Sequence, residues 1–122
     1  MCIRDTPVTE ETDLSFKSTV KTTYLDKEVG VMHACGHDIH TSVQLGVASV
    51  LASMKRSLPG TVKFIFQPAE ERLPGGAKQM IAEGVLENPK VHNMFGQHVF
   101  PDLEVGKVGF KAGMYMASTD EL

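Results

Sequence analysis

Three histidines, a cysteine and an aspartate fall within the ten positions Val31 to His40, VMHACGHDIH, of a chain with five His and two Cys in all. A packed core wants apolar side chains, and a surface loop has no use for a thiol, so this concentration points to a metal, a nucleophile, or both. Cys35 and His37 are separated by Gly36, compact enough for sulfur and imidazole to converge, and glycine permits the unusual backbone turn involved. Glu70 and Glu71 follow IFQPA, so an apolar run delivers two adjacent carboxylates. Such neighbours are expected to point different ways, one ligating while the other reaches a bound water. His98 sits inside MFGQHVF, where an unpaired imidazole would be costly. Soft sulfur, borderline nitrogen and hard oxygen together suit Zn, Mn, Co or Ni.

Plainer readings stand beside these. His98 can be a hydrogen-bonded core histidine, and Glu70-Glu71 a solvated helix start favoured by the helix dipole. His33 and His40 read as structural or surface residues. Cys35 can be a small buried hydrophobe or a nucleophile paired with His37. Against the nucleophile, residues two apart across a tight turn rarely align thiol and imidazole. Composition and spacing lead to a metal site and no further.

These residues need elements to hold them. At 122 residues, 42% hydrophobic and 22% charged, the chain reads as one globular domain over residues 1–122. The net charge of -3 and scattered Lys and Arg give no surface for nucleic acid. No apolar stretch approaches the ~20 residues of a membrane helix, and MCIRDTPVTEE has no signal-peptide core. A cytoplasmic location is expected, with Cys2 and Cys35 as free thiols. Residues 1–27 read as a loop-dominated lead-in with one short extended piece. Ile39, Val43, Val47, Val50, Leu51 and Met54 form one apolar stripe, which predicts a helix from Asp38 to Arg56. TVKFIFQP and VHNMFGQHVF read as buried strands, EVGKVGFKAGMYMAS as one or two more, and GGAKQMIAEGVLEN as a second helix stopped at Asn88-Pro89. The expected fold is α/β, a largely buried sheet flanked by helices, with the polar clusters where strands lead into helices.

The stretches VMHACGHDIHTS, GTVKFIFQPAEE, GGAKQMIAEGVLE, FGQHVFPDLEVGKVG and MYMASTDEL resemble the M20 metallopeptidase family in its amidohydrolase branch, which includes hippurate hydrolases and N-acyl-amino-acid amidohydrolases. The order His-Ala-Cys-Gly-His-Asp then Gln-Pro-Ala-Glu-Glu is specific to that pattern. The resemblance implies that Cys35, His37, Glu71 and His98 ligate metal and that Glu70 is the general base. It implies two divalent ions, Mn or Zn first and Co or Ni as alternatives. It also implies hydrolysis of the amide of a small N-acyl amino acid or dipeptide-like substrate. Charge and hydropathy give no nucleic-acid or membrane partner, and apolar strands such as VKFIFQ and MFGQHVF, left uncovered, are expected to bring copies together as a homo-oligomer. The family's Arg-Ala-Asp-Met-Asp-Ala-Leu-Pro strand is shortened here to IRDTPV, with Asp5 in the acidic position. A distal histidine ligand and the lid or dimerisation domain have no counterpart. The expectation is a truncated M20 catalytic-domain segment, inactive alone; the alternative is a non-catalytic remnant that keeps the fold and binds metal or a partner.

Overall fold

The computed structural model describes residues 8–71 and 73–115; Cys2, Asp5 and the end of MYMASTDEL, residues 116–122, lie outside them. In chain order the elements are β1 (Lys21–Tyr24), β2 (Lys27–Gly30), α1 (His37–Ser53) and α2 (Gly76–Ala82). Helices and strands are both present, a small α/β arrangement, but the sheet differs from the one expected. It is an antiparallel hairpin pairing Lys21 with Gly30 through Tyr24 with Lys27.

The hairpin lies where a loop-dominated lead-in with one short extended piece was expected. Its two-residue turn, Leu25-Asp26, has positive φ at both positions, 50° and 61°. That is the type I′ geometry whose twist matches paired strands, and it is normally signalled by Asn-Gly. Leu-Asp gives no such signal, which is why the sequence hides the turn. A left-handed backbone at a non-glycine residue costs about 1–2 kcal/mol, and Asn bears it better than Leu. Leu25 is 77% exposed, so its side chain contributes little packing. Leu25→Asn should therefore raise the denaturation midpoint, by roughly 0.5–1 kcal/mol of stability, as read by urea titration.

Ahead of the hairpin, the Ser18 amide and the Thr12 hydroxyl both donate to the Glu10 carboxylate at 2.7 Å. The Ser18 amide first, and then the Thr12 hydroxyl, hold that carboxyl below the usual range. The Ser18 hydroxyl donates to the Val31 carbonyl, tying the lead-in to the chain that enters the His-rich segment.

Helix α1 begins one residue before the expected start and ends three before the expected stop. Its C-cap, Met54, donates back to the carbonyls of Val50 and Leu51. Helix α2 is much shorter than the pattern to Asn88 suggested. Gly84 has φ 81°, its amide donates to Ile81, and the Val85 amide donates to Met80. These two bonds around a left-handed glycine form a Schellman stop, and apolar periodicity does not register it.

TVKFIFQP and VHNMFGQHVF form neither helix nor strand, and neither do the described residues of EVGKVGFKAGMYMAS. An apolar run becomes a strand only when a neighbouring backbone supplies its ladder, and among the described residues only β1 and β2 do so for each other. These runs are held by side chains instead. The Gln44 amide on α1 donates to the Ile65 carbonyl at 2.9 Å. Lys63 Nζ donates to the carbonyls of Val85 and Glu87 just past α2, at 2.9 and 2.7 Å. No hydrophobic side chain among the described residues is fully buried, and the expected α1 stripe is largely open, Val43 at 43% and Val50 at 57%. No described helix is long and apolar enough to cross a membrane.

Candidate metal centre

Gly36 is the N-cap of α1, with φ 80°, and no side chain caps the helix there. This left-handed residue turns the chain so that Cys35, just outside the helix, and His37, its first residue, serve one place. A Cβ on Gly36 would also lie 2.5 Å from Val99 Cγ2, so the turn is pressed against the chain next to His98. Glycine is therefore required twice over, by conformation and by space.

The glutamates arrive on the loop leading from residues 61–67 to α2. Ala69, just before them, has φ 49°, a left-handed bend in that loop. Glu70 Oε2 and Glu71 Oε1 each lie 3.6 Å from His37 Nε2. The expectation that they point apart is thus too strong, because both carboxylates reach the same imidazole. At 3.6 Å neither makes a hydrogen bond with it. The His37 side chain is only 16% exposed, whereas Glu70 and Glu71 stay open at 56% and 43%.

Ligand atoms of Cys35, His37 and Glu71 all lie within 4.8 Å of one another and could hold a metal ion. His98 also approaches the sulfur, its Nε2 3.4 Å from Cys35 Sγ. It is exposed, not sunk in an apolar strand as the sequence suggested. Two donors about 2.1 Å from a shared ion at tetrahedral angles sit ~3.4 Å apart. The separations of 3.4 and 3.6 Å are thus of the size a coordination shell requires. The mixed S, N and O donors suit a divalent transition metal.

His98 Nδ1 lies 2.7 Å from the Val99 carbonyl oxygen. A carbonyl only accepts, so Nδ1 carries the proton and the Nε2 lone pair faces the thiol of Cys35. Sequence reasoning undervalued His40, which it left as structural or surface. Its Nε2 accepts the Val99 amide at 3.0 Å, and its ring meets that of His98 edge-on at 4.4 Å. The available signal was its place three residues after His37, on the same side of the first turn of α1.

A model of peptidase family M20/M25/M40 matches residues 5–119. The chain belongs to this family. Among curated relatives of this M20 chain, an N-acetylcysteine deacetylase of Bacillus subtilis (strain 168) is 46% identical over 114 residues, covering 93% of the chain and 27% of the relative. An N-acyl-L-amino acid amidohydrolase of Geobacillus stearothermophilus is 40% identical over 114 residues, 93% of the chain and 28% of the relative. An N-acetyldiaminopimelate deacetylase of Listeria innocua serovar 6a is 40% identical over 116 residues, 95% of the chain and 28% of the relative. The M20 chain thus spans little more than a quarter of the length of these three relatives. No solved structure matches it significantly.

Proposed function

We propose that this chain carries part of the active site of a metal-dependent amidohydrolase that cleaves the amide of small N-acyl amino acids. The observation that carries the reading is the convergence of Cys35, His37 and Glu71 within 4.8 Å, with Glu70 beside His37 and His98 beside Cys35. Relatives named as deacetylases and an amidohydrolase support the reaction class.

In this reading Cys35, His37, Glu71 and His98 hold two divalent ions, Mn or Zn, with Co or Ni as possible replacements. Ions held there supply Lewis-acid polarisation of the amide carbonyl and make water easier to deprotonate. Glu70, more open than Glu71 and 3.6 Å from His37 Nε2, takes the proton from the attacking water. The same carboxylic acid then returns the proton to the departing amine, so the base is restored in each cycle. The Gly36 turn fixes the thiol and imidazole, and the open side of the two carboxylates is where a small substrate enters. Dependence on a reduced, unbridged Cys35 suits the reducing cytoplasm. The exposed stripe of α1 supports association of copies into a homo-oligomer.

The test is to supply the purified protein, at its full native length, with Mn or Zn and N-acetyl amino acids, and to measure the amine released. Turnover that a chelator abolishes and added metal restores is expected. Release that a chelator leaves untouched would end the metal reading.

The thiol has its own signature. Cys35→Ser should weaken Zn binding by at least tenfold while changing Mn binding little, because thiolate favours the softer ion. Competition titration with a chromophoric chelator reads both affinities, and unchanged Zn affinity would remove Cys35 from the ligand set.

A further inference from the structure

We propose that His40 is a positioning residue of the metal centre, which fixes His98 in the orientation and tautomer that present Nε2 to Cys35. The inference deepens the proposed function and rests on its metal reading, although its geometry stands without an ion.

The Val99 backbone is the hub. Its amide donates to His40 Nε2 at 3.0 Å, and its carbonyl lies 2.7 Å from His98 Nδ1. The first bond anchors the His98–Val99 peptide to α1, and the second assigns the His98 proton to Nδ1. A neutral imidazole protonated at Nδ1 has its one lone pair on Nε2, the atom 3.4 Å from Cys35 Sγ.

Two further observations tie this segment to the start of α1. The Gly36 position leaves no room for a Cβ beside Val99 Cγ2, so the side chain packs where the helix starts. The His40 and His98 rings stand edge to face, 4.4 Å between centroids and 67° between planes, which restricts how His98 can rotate. His98 is exposed and lies outside any helix or strand. A ligand on such a segment gains its precision from neighbours, and partners behind metal-binding imidazoles commonly affect affinity 10–100-fold.

The test compares His40→Gln with His40→Asn in the full chain. Gln places an amide oxygen near the Nε2 position and can still accept from Val99. Asn is equally polar but stops short of it. Two readouts are taken. One is the ¹⁵N spectrum of the His98 imidazole without metal, and the other is Co(II) affinity with the sulfur-to-cobalt charge-transfer band. In the parent and the Gln variant, His98 should show one Nδ1-protonated form, and Co(II) should bind within about threefold of the parent. In the Asn variant, the single tautomer should be lost, Co(II) affinity should fall tenfold or more, and the sulfur band should weaken.

Equal behaviour of Gln and Asn in the His98 spectrum would overturn the proposal. So would an Asn variant that binds Co(II) as tightly as the parent. If the parent binds no Co(II), the metal reading fails while the His98 spectrum still decides whether His40 sets the tautomer.

Discussion

Glu70→Gln should leave the metals in place and lower kcat by roughly 10²–10⁴-fold, the usual contribution of a general base. Expressed as a barrier, that is about 3–5 kcal/mol. Glutamine keeps the size and polarity of the side chain but cannot accept a proton from water. Glu70 lies beside His37, its Oε2 3.6 Å from Nε2, close enough to reach a water if one is held at the proposed site. Glu71 is the carboxylate that shares the 4.8 Å cluster with Cys35 and His37. Glu71→Gln should accordingly lower metal occupancy, because an amide oxygen donates less charge to a cation than a carboxylate does. Metal content by elemental analysis, measured beside kcat, separates the two roles. Equal metal loss in both variants would overturn this division of labour.

That the glutamates lie beside the His-rich segment was legible in the sequence because each residue type is chemically conspicuous. Cys35, His37, Glu70, Glu71 and His98 are all brought to one place. The scaffold was less legible. Apolar runs such as VKFIFQ announce an environment rather than a partner, and without a ladder from a neighbour they do not become strands here. The α2 stop at Gly84 and the β1–β2 turn at Leu25-Asp26 depend on positive φ angles. A hydrophobic period carries no information about them. His40 was missed for another reason: its partner is a backbone amide 59 positions away, and no side-chain spacing encodes that bond.

The glutamate loop depends on a residue outside the Cys35, His37 and Glu71 cluster. Gly76 is buried at the start of α2, and a Cβ there would lie 2.0 Å from the Pro68 carbonyl oxygen and 2.8 Å from its carbon. Both obstacles are backbone, so no rotamer change relieves the overlap. The Gly76 amide also donates to the Ala69 carbonyl at 3.4 Å, so helix and loop are in register at the peptide that precedes Glu70. Gly76→Ala must therefore push the Pro68–Ala69 backbone away from α2, carrying both carboxylates with it. Overpacking of this kind costs typically 1–3 kcal/mol of stability. The larger effect should fall on the site, where ~1 Å of misplacement can lower rate by about 10²-fold. Gly84→Ala is the matched control. It strains the left-handed stop of α2 by about 1 kcal/mol, yet a Cβ there meets nothing within 4 Å. Denaturation midpoints should fall in both variants, whereas kcat and metal affinity should collapse only in Gly76→Ala. Loss of activity in both, in proportion to lost stability, would mean that the loop is not held in place by the close approach at Gly76.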